Sequence, residues 1–263
     1  MIGTIKTLIN KALASQGLRL SRVLKEESSA SVVFPAELTS AEVELIRYVK
    51  ERGLSMASYE RLWTTVMSCK HILERGIEGD FVECGVWRGG NALLAAGIFD
   101  LYKVTDRKVY LFDTFLGMTE PTHNDIEAIT GNSAYGEYYK NVVPTHNEWC
   151  FASIEDVQNT FSSAGLLSDR VVFVQGDVLK TLEMNTLPTK IAVLRLDTDW
   201  YESTKKELEV LYPLITQGGI LIIDDYGYWA GSKKATDEYF ESKGNRPFLQ
   251  YIDFTGRVGI KYE

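Results

Sequence analysis

Carboxylate side chains follow two short apolar runs in the second half of the chain. Asp197 and Asp199 come directly after the first run, and Asp224 and Asp225 come directly after the second. If both runs are neighbouring strands, four carboxylates converge at one edge of a sheet, where like charges repel unless a cation neutralises them or one group keeps its proton. Oxygen ligands favour Mg²⁺, with Mn²⁺ or Ca²⁺ as alternatives. The competing interpretation is a set of helix caps and loop-stabilising acids, although caps seldom cluster in this way.

A second candidate site lies at the turn after an earlier strand, in the sequence ECGVWRG that begins at Glu83. Gly85 permits a sharp turn with positive φ, and Gly89 permits a ligand to approach the backbone. The turn lacks the glycine pattern of dinucleotide-binding folds and the lysine of a phosphate-binding loop, which argues against NAD and nucleoside triphosphates. Glu83 suits a cationic ligand, such as the sulfonium and amino groups of S-adenosylmethionine (SAM). Alone, such a turn is a weak signal, because tight strand–helix turns are common in α/β proteins.

Acids also follow the next two predicted strands. Asp113, with Thr114 beside it, ends the second strand, where an acid typically accepts hydrogen bonds from ribose hydroxyls; capping of a helix is the alternative role. Asp177 and Val178 follow the third strand and are candidates for holding an adenine ring through a carboxylate and backbone amides. Because ligands of open α/β sheets bind at the carboxyl ends of strands, three such ends in succession are more specific than one.

The elements that must position these residues alternate between apolar runs and helical stretches. Strands buried on both faces of a parallel sheet are predicted for residues 81–84, 109–112, 171–174, 191–196 and 220–223. Helices are predicted to start near Thr39 and to cover residues 59–74, 91–99, 154–163 and 204–214. A C-terminal hairpin is predicted for residues 248–252 and 258–261. The pattern predicts a Rossmann-like α/β fold, in which a mostly parallel seven-stranded sheet ends in an antiparallel hairpin.

Two segments fall outside that alternation. Residues 117–150 are polar and rich in aromatic side chains, and a segment of this length is typical of a lid or of a disordered loop. A lid over the carboxyl edge of the sheet is the functional interpretation. Residues 1–75 are interpreted as an N-terminal helical arm and cap, and residues 76–263 as the domain that carries the site.

Composition restricts the class of protein. A net charge of −8 gives no broad basic surface for nucleic acid, and three cysteines without a zinc or redox spacing indicate a reducing, cytoplasmic environment. The first 25 residues contain five cationic side chains and no acid, and residues 2–13 place apolar side chains on one helical face. This arm is too short to span a bilayer; it either lies on a membrane surface or packs on its own domain or on a partner subunit. We expect a soluble homo-oligomer.

Four motifs resemble those of the macrocin O-methyltransferase family. They are FVECGVWRGG (81–90), LFDTFLGM (111–118), LRLDTDWYEST (194–204) and GGILIIDDYGYW (218–229). The resemblance covers roughly residues 55–260 and implies a class I, SAM-dependent and Mg²⁺-dependent O-methyltransferase. The implied acceptor is a sugar hydroxyl of a glycosylated natural product or of a polysaccharide precursor.

The resemblance also assigns roles to the acids. It implies that the metal is bound by Asp197, Asp224 and Asp225 and that Asp199 is the base, with Asp197 as the fallback. It implies that SAM is held by Glu83, Asp113 and Asp177. A metal that binds two vicinal hydroxyls of the acceptor would lower the pKa of one and orient it toward the methyl group. A catechol or another small diol is the alternative acceptor, and a non-catalytic SAM-binding protein is the alternative class.

Several aromatic and histidine side chains have two interpretations. His123 and His146 in residues 117–150 are either solvated or in contact with the acceptor, and we favour solvation. Trp149, Trp200 and Trp229 either stack on a sugar ring or pack in the core.

Overall fold

The computed structural model describes residues 32–184 and 187–262. The chain divides into two compact units, Met1–Glu37 and Leu38–Glu263. The amphipathic helix predicted for residues 2–13 lies outside the described residues. The sequence-based division at residue 75 separates two helices from the sheet, whereas both helices belong to the second unit. In the described part of the chain, no helix is long and apolar enough to cross a membrane.

Helices and strands alternate along the second unit. In chain order the elements are α1 (Ser40–Glu51), α2 (Tyr59–Glu74), β1 (Asp80–Cys84), α3 (Gly90–Leu101), β2 (Val109–Asp113), α4 (Tyr135–Lys140), α5 (Ile154–Ser163), β3 (Val171–Gln175), α6 (Val178–Thr181), β4 (Ile191–Leu196), α7 (Tyr201–Val210), a 3₁₀ turn (Tyr212–Leu214), β5 (Ile215–Ile223), α8 (Ala230–Lys243), β6 (Gln250–Tyr251) and β7 (Arg257–Ile260).

The strands form one seven-stranded sheet in the order β3-β2-β1-β4-β5-β7-β6. Strands β1 to β5 are parallel, and β7 pairs antiparallel with β5 and with β6. The predicted fold class, a mostly parallel sheet closed by a C-terminal hairpin, is therefore confirmed. Because the strand order reverses between β1 and β4, a crevice opens at their carboxyl ends, where ligands of open α/β sheets bind.

The N-terminal helices are tied to the sheet layer by a buried acid. Helix α1 starts after Thr39, as the sequence predicts, and Thr39 and Glu42 form a capping box there. The Glu42 carboxylate is fully buried, accepts a hydrogen bond from the Tyr102 hydroxyl (2.7 Å) and pairs with Lys70 (3.0 Å). One side chain thus joins α1, α2 and the end of α3, and the loop between α1 and α2 lies against the start of α3, where the Gly90 amide donates to the Leu54 carbonyl oxygen (3.1 Å).

Two elements differ from the sequence-based prediction for a visible physical reason. Helix α8 was not predicted, because it buries mostly small and polar residues and so shows little apolar periodicity. The helix predicted to end at residue 214 ends at Val210, since Pro213 lies in the following 3₁₀ turn.

Candidate active site

A cavity of about 920 Å³ lies at the carboxyl ends of the parallel strands. Its lining comes from the loops after β1, β2, β3, β4 and β5, from residues 54–57 and from the lid (residues 117–150). Its volume is in the range of small-molecule sites. All the strand-end acids that the sequence singled out line this cavity, so the structure brings them to one site.

Gly85 allows the turn after β1 to pass directly over the end of β4. Its φ is +79°, and a Cβ atom at this position would lie 2.6 Å from the carbonyl carbon of Asp197. Gly89 also has a positive φ, but the space beside it is filled by Val157 and Phe161 of α5. The absence of a side chain at Gly89 therefore serves packing against α5, and the expected approach of a ligand to its backbone stays a prediction.

Asp113 holds the same turn from the side of β2. Its Oδ2 atom accepts hydrogen bonds from the Val86 and Trp87 amides (2.7 and 3.2 Å), and its Oδ1 atom accepts one from the Phe115 amide (2.7 Å). Thr114 donates a hydrogen bond to the carbonyl oxygen of a lid residue 2.7 Å away. Asp113 is thus part of the framework of the site, and its predicted contact with a ribose stays a prediction.

Asp177 caps the short helix α6 by accepting a hydrogen bond from the Leu179 amide (2.9 Å). Both Asp177 and Val178 line the cavity, next to the end of β3. The adenine contact predicted for them stays a prediction.

A fully buried arginine lies beneath the cavity. Arg195 on β4 donates to Glu83 Oε1 (2.6 Å) and also pairs with Asp197 and Asp224. Burial raises the pKa of Glu83 to about 7, although Arg195 opposes that shift. Glu83 Oε2 is buried without a well-formed hydrogen bond, although the Ala92 amide is near enough to lower the pKa of the group. This atom fits a cationic donor at the place where the sequence predicts the amino group of SAM.

Two guanidinium groups occupy Asp224. Arg195 pairs with its Oδ1 atom, and Arg61 of α2 pairs with its Oδ2 atom. The Nε atom of Arg61 also lies 2.9 Å from Asp253 in the loop between β6 and β7. Asp224 is therefore neutralised by the protein itself, an arrangement that the sequence-based assignment of Asp224 to the metal did not include.

The remaining strand-end acids form a group that fits a metal ion. Ligand atoms of Asp197, Asp199 and Asp225 all lie within 4.8 Å of one another. Burial, together with the neighbouring negative charges, raises the pKa of Asp199 to about 7 and holds the pKa values of Asp197 and Asp225 well above their usual range. Asp225 Oδ2 is buried without a hydrogen-bond partner. Oxygen ligands with excess negative charge and an unpartnered buried oxygen are what a hard divalent cation requires.

The loop between these acids is fixed in an unusual conformation. Asp199 has a φ of +67°, which is rare for residues other than glycine and is common at functional sites. Thr198 donates a hydrogen bond to the fully buried Glu207 of α7 (2.9 Å), whose pKa is raised to about 8 by burial. Glu207 thus fixes the 197–199 loop through this hydrogen bond, a role that no motif in the sequence indicated.

The lid is anchored to the start of α7 by a buried acid and a tryptophan cluster. Asp125 accepts hydrogen bonds from the Tyr201 amide (2.8 Å) and from the Thr122 amide (2.6 Å), and the Trp200 indole donates to a lid carbonyl (2.9 Å). The rings of Trp149, Trp200 and Trp229 lie 5.0–6.2 Å apart, edge to face. These contacts support the packing interpretation for Trp200, whereas Trp149 and Trp229 also line the cavity.

Neither of the two lid histidines lines the cavity. His123 is exposed, and His146 is half-buried and stacks on Phe151 at 4.0 Å. Their positions therefore agree with the interpretation that neither histidine contacts the acceptor.

Comparisons with known proteins agree with this architecture. The family model described as macrocin-O-methyltransferase (TylF) matches residues 23–259. A mycinamicin III 3''-O-methyltransferase from Micromonospora griseorubida is 36% identical over 205 residues, which are 77% of this chain and 76% of that protein. An 8-demethyl-8-(2,3-dimethoxy-alpha-L-rhamnosyl)-tetracenomycin-C 4'-O-methyltransferase from Streptomyces olivaceus is 34% identical over 203 residues, which are 77% of this chain and 73% of that protein.

A solved structure gives the same result. The O-methyltransferase NovP is 30% identical and superposes with a TM-score of 0.70, covering 80% of this chain and 83% of that one. The family model spans most of the chain, and the mostly parallel sheet of the chain is the one that the sequence motifs imply. The chain belongs to the macrocin O-methyltransferase family and is a SAM-dependent O-methyltransferase.

Proposed function

We propose that this enzyme transfers the methyl group of SAM to a sugar hydroxyl in a reaction that requires a divalent cation, Mg²⁺ in the first instance. The observation that carries the proposal is the group of three carboxylates, one of which has an unpartnered buried oxygen, beside the glycine turn of the methyl-donor site. Support for a sugar acceptor comes from a relative, because the Streptomyces olivaceus enzyme is named for a rhamnosyl substrate.

The donor is held, in this proposal, by the turn after β1. SAM supplies a methyl group on a sulfonium, which an oxygen nucleophile attacks in line. Glu83 Oε2 accepts a hydrogen bond from the ammonium group, because it is buried and lacks a well-formed bond of its own. Asp113 keeps this turn in shape by accepting hydrogen bonds from the Val86 and Trp87 amides, and it lies at the end of β2, where an acid typically binds a ribose.

We assign Asp197 and Asp225 to the cation and Asp199 to proton transfer. A divalent cation held by these two acids would supply Lewis-acid chemistry that makes the acceptor hydroxyl more acidic. Asp199, which lines the cavity beside these two acids, takes the proton of the acceptor hydroxyl as general base, a role that typically contributes about 10²–10⁴-fold in rate. Asp224 holds Arg61 and Arg195 in place instead of binding the metal.

Calorimetry and turnover of single variants test these assignments. Asp199→Asn should bind SAM normally and lose about 10²-fold or more of its turnover. Asp225→Asn should lose Mg²⁺ affinity and keep SAM binding, while Asp169→Asn, an exposed residue outside the cavity, should change neither. Near-normal turnover of Asp199→Asn would show that another group is the base. Unchanged Mg²⁺ binding in Asp225→Asn would show that the cation is held elsewhere.

A further inference from the structure

Helix α7 presents a buried polar face to the loop of residues 197–199. Ser203 and Glu207 lie one turn apart on this helix, and both are buried. Glu207 has no cationic partner among the described ion pairs, and burial raises its pKa to about 8. A buried carboxyl group costs free energy unless its oxygens are hydrogen-bonded, and it adds little apolar contact. The two polar side chains therefore call for a role other than core packing.

Both side chains hold Thr198, the middle residue of the 197–199 loop. The Thr198 hydroxyl donates a hydrogen bond to Glu207 Oε1 (2.9 Å). The Thr198 carbonyl oxygen accepts hydrogen bonds from the Ser203 hydroxyl (3.3 Å) and from the Trp200 amide (2.7 Å). Thr198 is thus held by its backbone at the start of α7 and by its side chain one turn further along the helix.

The loop needs these contacts, because its backbone is strained. Asp199 has a φ of +67°, a conformation that persists in residues other than glycine where the surroundings impose it. At the other end of the loop, the Asp197 amide donates to the carbonyl oxygen of Cys84 on β1 (2.9 Å). The carboxyl group of Glu207 also interacts with the thiol of Cys84. Glu207 therefore connects the strained loop to both α7 and β1.

We propose that Glu207 is a positioning residue for methyl transfer, which holds Asp197 and Asp199 in their working geometry through its hydrogen bond with Thr198. The inference rests on the proposed function, which assigns those two acids to the cation and to proton transfer. Glu207 does not line the cavity, whereas Thr198 does, so Glu207 acts through Thr198 and not on a substrate. Because a displacement of about 1 Å can lower a rate about 10²-fold, a relaxed loop should lose turnover and cation affinity. The donor site after β1 and β2 should be unaffected.

Two variants break this hydrogen bond from opposite ends. Thr198→Val keeps the shape of the side chain and removes the hydroxyl, and Glu207→Met keeps the length of the side chain and removes the acceptor. Calorimetry on the full chain measures SAM binding and then Mg²⁺ binding to the SAM-loaded protein. Turnover is measured at saturating Mg²⁺ with methyl L-rhamnoside, methyl L-fucoside and methyl D-quinovoside. We expect each variant to lose about tenfold or more in Mg²⁺ affinity and in kcat, while the Kd and KM for SAM change less than about twofold.

Three further variants distinguish positioning from general damage. The double variant Thr198→Val/Glu207→Met should be no worse than the poorer single variant, because both changes break the same hydrogen bond. Glu207→Gln keeps an acceptor for the Thr198 hydroxyl and is uncharged, as the wild-type group mostly is at pH 7. Its kcat and Mg²⁺ affinity should therefore stay within about threefold of the wild type. The control Thr236→Val removes a buried hydroxyl of α8 that lies outside the cavity and donates to the Ser232 carbonyl oxygen, and it should change neither quantity.

Different results overturn the inference and the proposed function. Wild-type kcat and Mg²⁺ affinity in either single variant overturn the inference and leave the proposed function in place. A loss of SAM affinity equal to the loss of Mg²⁺ affinity also overturns the inference, and so does a Glu207→Gln variant as impaired as Glu207→Met. Wild-type protein that binds SAM and methylates none of the glycosides contradicts the proposed function itself, and the inference with it.

Discussion

Replacing Arg195 by methionine removes the only cation that contacts Glu83 among the described ion pairs of the protein. The Arg195 side chain is 1% exposed, and it pairs with Glu83, Asp197 and Asp224. Asp224 keeps its contact with Arg61, and the Asp197 side chain is 28% exposed and so partly solvated. The loss therefore falls mainly on Glu83, which is left buried without a counter-ion. Because Glu83 can take up a proton when its partner is lost, we expect Arg195→Met to lower the free energy of unfolding at pH 8.5 by up to about 2 kcal/mol more than at pH 5, which is the limit for the roughly 1.5 pH units between the Glu83 pKa of about 7 and pH 8.5.

The effect of Arg195→Met should depend on pH, because Glu83 can take up a proton. The pKa of Glu83 in the folded wild-type protein is about 7, above its usual value of 4.5. At pH 5 the group is therefore mostly protonated with or without Arg195, and little charge is left unpaired. In the variant the folded-state pKa rises further, so the folded state binds more protons than the unfolded state and stability falls as pH rises. Between the Glu83 pKa of about 7 in the wild type and the higher pKa in the variant, each pH unit changes the difference in the free energy of unfolding between the two proteins by up to about 1.4 kcal/mol.

Urea denaturation followed by circular dichroism at pH 5 and pH 8.5 measures both quantities. Arg170→Met serves as the control, because Arg170 donates to the carbonyl oxygen of Val104 (2.6 Å) and has no carboxylate among its described ion pairs. Its loss of stability should be the same at the two pH values. A loss below about 1 kcal/mol for Arg195→Met at pH 8.5, or a loss independent of pH, would refute the role of Arg195 as the counter-ion of this site.

Two further predictions concern the framework of the site. Gly85→Ala should lower the free energy of unfolding, measured by thermal denaturation, by about 2 kcal/mol more than Gly165→Ala. Both positions have positive φ, but only at Gly85 would a Cβ atom meet the Asp197 carbonyl. Equal losses would show that this close approach is unimportant. Glu207→Gln should match the stability of the wild type near pH 5 and exceed it above pH 8. The reason is that the folded-state pKa of about 8 makes the stability contribution of Glu207 fall between about pH 4.5 and 8. Glutamine stays neutral over this range and still accepts the Thr198 hydrogen bond. A wild-type advantage that grows with pH in urea titrations would contradict it.

The sheet could be predicted from local sequence alone. Five of its strands are short apolar runs, and burial on both faces is what makes them visible. Helix α8 was missed, because its buried face carries residues such as Ser232 and Thr236 in place of large apolar ones. The spacing of apolar residues in a sequence therefore indicates well where apolar side chains are buried, but it indicates poorly where polar side chains are buried.

The position of the site could be predicted from the sequence, but the ionic partners of its acids could be predicted less well. The strand-end acids had to converge once the parallel sheet was recognised. Their ionic partners come from distant parts of the chain, and Arg61 is separated from Asp224 by 163 residues. One signal was present, since Arg195 interrupts an otherwise apolar strand that is buried along its whole length, and a charge in such a strand requires buried partners. That signal indicates an ion pair, but it does not say which of the neighbouring acids is engaged.

The central claim is a cation-dependent methyl transfer to a sugar hydroxyl, and one measurement tests it directly. Protein freed of metal with EDTA is incubated with SAM labelled in the methyl group and a panel of deoxysugar glycosides, and Mg²⁺ is then added back. We predict that label enters a glycoside only after Mg²⁺ is restored, and that it resides in an O-methyl group. Transfer at the same rate in EDTA would contradict the metal requirement, and label on no glycoside at all would contradict the sugar acceptor.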